Sequence, residues 1–416
     1  MGNKRKKSVS LVNNLESYVE KNNISAEKKK LFSSFMDQGF PTVKDEEWKY
    51  TPLKKIISLD YNINTQTDQK LDATLIKNNS LGLKHKIVFC NGNLLEVPNI
   101  SGLTVSDFSN FDCRNNDANT LLNKALAKNG YTIKVESNIT VEEPIEILFF
   151  NTLENSFSQY RSIINVMKNS SIKFVEKIYD LSNSNSLVNN FTKILCEENS
   201  NVEFNKIQNN TSSSKLIDCM NIFQESNSTT LVNTFIFGGD FVRNNLNFEQ
   251  NGKNCESNMN GISLIDRDQL ADNHTFVDHK NPHCRSNEMY KGIYLDKSKG
   301  VFNGKIMVRK DAQKIDAFQS NNNLLLSDLS SIDSKPQLEI YADDVKCSHG
   351  CTIGQLDQEA LFYMRSRGIG IEEAKAVLTY AFTSEVIDKV SISVLQRLIR
   401  EVLAKKLNVD LDFNLV

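Results

Sequence analysis

The middle of the chain, from about residue 85 to 353, consists of short apolar runs separated by polar residues. Runs such as "KIVFC", "EILFF", "SIINVM" and "NTFIF" are separated by stretches of Asn, Ser, Gly and Asp. Apolar runs of this length, bounded by turn-forming residues, are typical of short β-strands. The pattern therefore predicts a mainly β core made of many short strands.

A weak internal repeat indicates how those strands are arranged. The segments "NSSIKF", "NSNVEF" and "NSTTLV" begin at Asn169, Asn199 and Asn227, which gives a period of about 30 residues. A polar Asn-Ser corner followed by an alternating strand is typical of a stacked solenoid. Asn suits such corners because it tolerates left-handed backbone angles and can stack in ladders between coils. We predict a parallel β-helix, with a β-sandwich as the second choice.

The N-terminal region has the pattern of helices instead. Residues 1–80 contain "SLVNNLESYVEKNN", "SAEKKKLFSSFMDQGF" and "DEEWKYTPLKKII", in which charged and apolar groups alternate as they do in amphipathic helices. Ser25 is the expected N-cap of the second of these stretches. Trp48, the only tryptophan, is expected to anchor this helical region on the next domain.

Helical patterns return after residue 353. The segment "LDQEALFYMRSRG" is predicted to begin at an Asp357 cap and to end at Gly368. Two further helices carry apolar stripes, which either pack on one another in a small bundle or offer one face to a partner. The stripes are Ala374, Val377, Leu378, Ala381 and Phe382 in the first helix, and Val394, Leu395, Leu398, Ile399, Val402 and Leu403 in the second. We therefore divide the chain into an N-terminal helical region (1–80), a β-helix core (81–353) and a C-terminal helical domain (354–416).

Composition narrows the class of protein. The chain is 39% hydrophobic and 24% charged with a net charge of −2, which is typical of a soluble globular protein and gives no reason to expect a nucleic-acid partner. No run approaches the roughly 18 apolar residues that a membrane span needs, and no signal-peptide segment follows the basic start "MGNKRKKS". The eight cysteines are mostly scattered singly, which suits reduced thiols. We therefore expect a cytoplasmic protein.

Sequence motifs for nucleotide binding and for hydrolysis are absent. There is no G-x-x-x-x-G-K-[ST] loop, and "FGGDFVRNN" is too poor in glycine to hold a phosphate. There is no G-x-S-x-G nucleophile motif either. If ATP is involved in the function, another chain must bind it.

A cluster of histidines provides the first candidate metal site. The segment "DNHTFVDHKNPHC" contains His274, His279, His283 and Cys284 within eleven positions. The spacings of five and four residues match no closed zinc pattern. A structural role, with hydrogen bonds inside the solenoid, is therefore the favoured interpretation, and no ligand role is assigned to these residues.

The segment "KCSHGC" provides the second candidate. In a strand, Val345, Cys347, His349, Cys351 and Ile353 share one face. Cys347 then lies roughly 13 Å from Cys351, so one strand cannot bring all three soft ligands to a single ion with bonds of about 2.0–2.3 Å. The apolar flanks favour a covered, buried structural strand, and the alternative is a half-site that another chain completes.

The block from 272 to 382 resembles the SufB/SufD family of iron–sulfur cluster assembly proteins. The resemblance rests on "DNHTFVDHKNPHCRSNEMYKGIYLD", "GVFNGKIMVRKDAQKIDAFQSNNNLLLS", "KPQLEIYADDVKCSHG" and "GQLDQEALFYMRSRGI". "EEWKYTPL" and "KCSHG" point to the SufD branch. The resemblance implies an N-terminal helical region, a right-handed parallel β-helix and a C-terminal helical domain.

The resemblance also implies partners and site residues. It implies a scaffold subunit that pairs with SufB through the β-helix and docks the ATPase SufC through the C-terminal helices, with a homodimer possible in isolation. Cys347 and His349 match the family motif at the SufB–SufD interface, where iron or a nascent Fe–S cluster would be shared with SufB. No tightly bound cofactor and no catalytic residue is expected in this chain. Cys351 departs from the family pattern, which has a small residue there, and receives no role.

Two other functions are weighed against this expectation. The chain could itself be the direct cluster scaffold, as SufB is, but the "CSHG" motif and the short length favour the SufD branch. A β-helix enzyme acting on polysaccharides would need a secretion signal and a carboxylate cluster along one face of the coil. The expected secretion signal is missing from the start of the sequence.

Overall fold

The computed structural model describes residues 10–63, 71–107, 117–182 and 184–409. Its middle part is a β-solenoid of about eight turns, in which successive strands alternate between two ten-stranded sheets, here named A and B. Each solenoid strand pairs in parallel with the strands two positions before and after it. This connectivity confirms the solenoid and rules out the β-sandwich.

From β5 onwards, the odd-numbered strands belong to sheet A and the even-numbered strands to sheet B. Sheet A contains β1 (Asn62–Ile63), β4 (Leu103–Asp107), β5 (Tyr131–Val135), β7 (Ser156–Val166), β9 (Ser186–Cys196), β11 (Ser214–Gln224), β13 (Phe241–Gln250), β15 (Leu270–His279), β17 (Lys299–Val308) and β19 (Ser331–Ile340). Sheet B contains β2 (His85–Cys90), β3 (Asn93–Glu96), β6 (Ile145–Asn151), β8 (Ser171–Asp180), β10 (Asn201–Gln208), β12 (Thr229–Ile236), β14 (Glu256–Ile265), β16 (Arg285–Tyr294), β18 (Ile315–Leu325) and β20 (Val345–Gly354).

The Asn corners behave as the repeat predicts. Asn169, Asn199 and Asn227 have φ angles of 57°, 59° and 61°, the left-handed region that Asn tolerates better than most residues. Their side chains form a ladder along the solenoid, in which the Nδ2 of Asn199 donates to the Oδ1 of Asn169 at 2.8 Å. Asn254 continues the ladder on Asn227 at 2.9 Å. The ladder holds successive coils in register at this corner.

The interior between the sheets contains columns of side chains in register. One column of sheet B begins with Phe174, Phe204, Val232 and Met259, one residue per coil, all of them fully buried. Towards the C-terminal end the same column becomes polar and continues with Glu288, Gln319 and His349. The interior therefore changes from apolar to polar as it approaches the last coil.

The N-terminal helices pack on the outer face of sheet A. They are α1 (Ser10–Lys21), α2 (Ala26–Gln38), a 3₁₀ turn (Glu46–Trp48), α3 (Lys54–Ile57), α4 (Ala73–Asn79) and α5 (Ala118–Leu126), of which α4 lies near sheet B. Ser25 caps α2 by accepting from the N–H of Lys28 at 3.3 Å. Trp48 is buried in an apolar cluster with Phe157 and Phe241 of sheet A. The predicted cap and the predicted anchor are both confirmed.

The C-terminal helices are α6 (Gln358–Ser366), α7 (Ile371–Ile387) and α8 (Ser393–Lys406). As predicted, Asp357 caps α6 by accepting from the N–H of Glu359 at 2.9 Å, and the helix is followed by Gly368 at φ 88°. Helices α7 and α8 pack on the outer face of sheet B, against residues such as Phe235 and Ile262. The two helices also pack on one another, as the bundle interpretation predicts, but the sheet supplies part of the surface that they bury.

The apolar stripe predicted for α7 is only partly buried. Of its members only Ala374 is fully buried, whereas Ala381 is exposed. The buried side consists of Ala376, Thr379, Thr383, Val386 and Ile387. The difference arises because α7 faces the β-sheet as well as α8, so hydrophobicity alone does not indicate its buried side. In α8 the expected residues Leu395, Ile399 and Leu403 are buried.

No helix within the described ranges is long and apolar enough to cross a membrane. The division into regions 1–80, 81–353 and 354–416 stays a prediction.

Candidate functional site at the open end of the solenoid

Strand β20, which carries "KCSHGC", is the last strand of sheet B. It pairs with β18, so that Cys347 lies beside Ala317 and His349 beside Gln319. Along the part of the chain that the structure describes, no strand pairs with the other edge of β20. The interpretation of a covered, buried strand is therefore wrong: His349 and Cys351 are exposed, because no further coil follows this one.

The inward face of β20 carries the candidate ligands. Their register partners Ala317, Gln319 and Asn321 are buried inside the solenoid. The Sγ of Cys351 donates to the Oγ of Ser334 on β19, 3.2 Å away, across the mouth of the solenoid. Cys347, His349 and Cys351 therefore point towards the open end of the interior.

Cys347 and His349, the two residues of the predicted half-site, occupy alternate positions on the inward face of β20. The Cα atoms of alternate residues in a strand are about 6.6 Å apart, so both side chains can approach a small ion or cluster placed beside the strand. No group of three His, Cys, Asp or Glu residues able to hold a metal ion occurs in the described ranges. Partial burial, with a contribution from Asp316, raises the pKa of the Cys347 thiol, so a metal ion would have to displace its proton.

The backbone of β20 is also available at this edge. The backbone N–H of Arg285 donates to the carbonyl oxygen of Cys255, and that of Asp316 donates to the carbonyl oxygen of Cys284. In sheet B, the residues whose side chains face outwards therefore direct their backbone N–H groups to the preceding strand. In a parallel strand, the backbone N–H groups of successive residues point alternately towards the two neighbouring strands. The N–H groups of Cys347, His349 and Cys351 therefore face the open edge, where a partner strand could bond to them.

The histidine block does not form a site. His274 lies on the outer face of sheet A and its Nδ1 is 3.2 Å from the Oε2 of Glu47. His279 is inside the solenoid, bonded to the Ser286 hydroxyl at 3.0 Å, and burial lowers its pKa to about 4. His283 occupies a corner at φ 62°. The structural interpretation of this block holds, because the chain directs the three imidazoles to three different places.

Two residues beneath the half-site were missed by sequence reasoning. Gln319 and Glu288 precede His349 in the same interior column, one and two coils earlier. The Nε2 of Gln319 donates to the Oε2 of Glu288 at 2.6 Å. The repeat period could have revealed them, since one period before His349 falls at Gln319.

Two family models match the chain, and together they cover most of it. "SUF system FeS cluster assembly, SufBD core domain" matches residues 149–382, and "SufBD protein N-terminal region" matches residues 4–76. The chain belongs to the SufBD family. It is therefore an iron–sulfur cluster assembly protein of the SUF system, and the resemblance to the SufB/SufD family is confirmed.

Two relatives of the SufBD family are similar over most of their length, and a third is similar over a short part of it. The iron–sulfur cluster assembly protein SufD of Escherichia coli is 30% identical over 84% of this chain and 85% of its own. A SufBD family protein of Synechocystis is 27% identical over 87% of this chain and 86% of its own. SufD of Plasmodium falciparum is 28% identical over 57% of this chain, but the match covers only 16% of that longer protein. By these comparisons the chain is SufD-like.

Proposed function

We propose that this chain is a SufD-like, non-catalytic subunit that pairs with SufB through the open end of its solenoid. The observation that carries the proposal is the position of Cys347 and His349 on a final strand whose second edge has no partner in the described residues. The exposed apolar side chains around this end are Phe318, Ile340, Tyr341 and Ile353. Exposed apolar groups beside an unpaired edge favour association with another chain.

In the proposed complex, iron or the nascent cluster is cargo held between the two chains. His349 supplies a neutral imidazole and Cys347 a thiolate, both of which suit iron. These two groups leave positions on the iron that SufB would fill. The cluster would thus form only when the two solenoid ends meet.

The C-terminal helices are proposed to dock SufC, which would supply the ATPase activity. The support is an apolar surface on α6, where Phe362 is 74% exposed and Tyr363 is 58% exposed. The neighbouring face of α7 leaves Val377, Leu378 and Phe382 only partly covered. We place the complex in the cytoplasm.

Co-expression with SufB and SufC, followed by purification of this chain, tests the proposal. The expected result is that both partners are recovered with it. His349→Ala is expected to leave the complex assembled but to lower its iron–sulfur cluster content at least tenfold, since loss of even an outer-shell partner of a metal ligand typically costs 10–100-fold.

The matched control is His85→Ala, since His85 lies on β2, near the opposite end of sheet B from β20, and cluster formation should persist in it. Recovery of this chain as a homodimer alone, or normal cluster content in His349→Ala, would contradict the proposed role.

A further inference from the structure

The column beneath His349 contains two buried polar side chains for which the proposed function does not account. Glu288 is 1% exposed and Gln319 is fully buried. Both belong to the column that leads, coil by coil, to His349 at the open end. Polar groups are costly to bury, so their presence in an otherwise packed interior requires a reason.

Glu288 fixes the orientation of the Gln319 amide. Its Oε2 accepts from the Nε2 of Gln319 at 2.6 Å. Burial raises the pKa of Glu288 from 4.5 to about 7, and above that pH the group is a carboxylate, which accepts from the NH₂ group of an amide but not from its oxygen. Gly304 on the opposite sheet makes room for this arrangement, since a Cβ there would lie 1.9 Å from the Nε2 of Gln319. The amide therefore keeps its nitrogen towards Glu288 and its oxygen away from that bond.

The oxygen of this amide lacks a donor. The Oε1 of Gln319 is buried without a hydrogen-bond partner. The next residue in the column, His349, has an exposed side chain that can turn towards the amide. A neutral imidazole has one N–H donor and one lone pair, so its N–H can donate to the Oε1 of Gln319.

We propose that Gln319, held by Glu288, accepts a hydrogen bond from the imidazole of His349 and thereby selects its tautomer. The other ring nitrogen then presents its lone pair to iron at the open edge. A metal-binding histidine is commonly fixed in this way by an acceptor behind it. Gln319 is thus a positioning residue, and this inference rests on the proposed function of His349.

The test uses the full-length chain labelled with ¹⁵N-histidine, in which the imidazole ¹⁵N shifts report the tautomer. His349→Ala assigns the signal among the five histidines. In the unsubstituted chain one neutral tautomer of His349 should dominate. Gln319→Met should move the ratio about fivefold towards that of free histidine, the factor that a typical hydrogen bond confers. Glu288→Gln should move it in the same direction, because the amide of Gln319 is then free to reverse.

Gln337→Met is the matched control. Gln337 lies on the final coil between Lys335 and Glu339, which form outward ion pairs, so this change should leave the His349 ratio unaltered. Thermal unfolding checks that each variant is folded. If Gln319→Met does not fold, the His349 tautomer ratio in Glu288→Gln tests the inference instead.

An unaltered tautomer ratio in a folded Gln319→Met or Glu288→Gln variant would overturn the inference. Normal cluster content in His349→Ala would instead overturn the proposed function, whatever the tautomer. The two failures are therefore distinguishable.

Discussion

Trp48 is the residue through which the N-terminal segment holds the solenoid. It is 8% exposed, and the guanidinium carbon of Arg243 lies 3.8 Å from the centroid of its ring. Arg243 in turn is paired with the buried Asp272 at 2.6 Å. The aromatic ring thus covers a buried ion pair as well as an apolar cluster.

We expect Trp48→Ala to lower the free energy of unfolding by about 3–5 kcal/mol, since it removes a buried aromatic side chain and opens the ion pair to water. Trp48→Phe should cost less, because a ring remains over Arg243. Urea unfolding followed by circular dichroism measures both. An unfolding midpoint for Trp48→Ala equal to that of the unsubstituted chain would show that the anchor is not needed.

Glu176 makes stability depend on pH. It lies inside the solenoid with Lys206 and Asp218, which form an ion pair, and all three are less than 6% exposed. Burial, and then the nearby Asp218, raises the pKa of Glu176 from 4.5 to about 8. The folded state therefore binds this proton more tightly than the unfolded state does.

The stabilisation that this proton provides is complete below pH 4.5 and is lost as the pH rises through about 8. Relative to Glu176→Gln, the unsubstituted chain should lose up to about 1.4 kcal/mol of unfolding free energy for each pH unit in that window. Urea unfolding at several pH values measures this slope. Glu198→Gln, at an exposed position, is the control, and its difference in unfolding free energy from the unsubstituted chain should not change with pH. A pH-independent difference for Glu176→Gln would contradict the assignment.

At the scale of elements, local sequence specifies the strands and corners but not their surroundings. The Asn-Ser corners at Asn169 and Asn199 and the Asp357 cap are encoded within a few residues, so sequence reasoning finds them. The exposure of β20 is different, because its alternation of Val345, Cys347 and Ile353 is the same as that of a covered strand. Only the absence of a following coil leaves it open, and no local pattern contains that information. The sequence pattern also failed to identify the buried side of α7, because that side depends on the sheet beneath the helix.

The two final strands should differ in how well they accept a partner strand. In sheet A, Ser331 donates to Ser298 of the preceding coil, so the alternate residues of β19, including Pro336, face the open edge. Pro336 has no N–H to donate there, whereas β20 has an uninterrupted row. Strand β20 is therefore the better template for pairing.

We expect Cys351→Pro to abolish pairing with SufB while the chain itself stays folded. The substitution removes an N–H that faces the open edge and is not used in the bond to β18, and proline is tolerated at edge strands. Cys351→Ser keeps that N–H and should keep the partner. Co-purification with SufB measures pairing, and circular dichroism measures folding. Retention of SufB by a folded Cys351→Pro variant would show that β20 does not pair through its backbone.

At the scale of the whole molecule, the two helical regions occupy different surfaces. Most N-terminal helices cover the outer face of sheet A, and α7 and α8 cover the outer face of sheet B. Among the described residues, exposed apolar side chains occur at the open end of the solenoid and on helix α6, which packs through Leu361 with Leu324 of β18. The proposed complex assigns the first group to SufB and the second to SufC.

This assignment predicts that one partner can be lost without the other. Phe362→Asp places a charge at the centre of the exposed surface of α6, next to Tyr363, and leaves the buried Leu361 that holds the helix in place. Substitution of a central aromatic residue typically weakens an interface by 2 kcal/mol or more, so SufC binding should fall at least about thirtyfold while SufB is still recovered. Leu95→Asp, at an apolar side chain 44% exposed on β3 at the opposite edge of sheet B, is the matched control and should keep both partners. Simultaneous loss of SufB and SufC in a folded Phe362→Asp variant would mean that the two surfaces act as one.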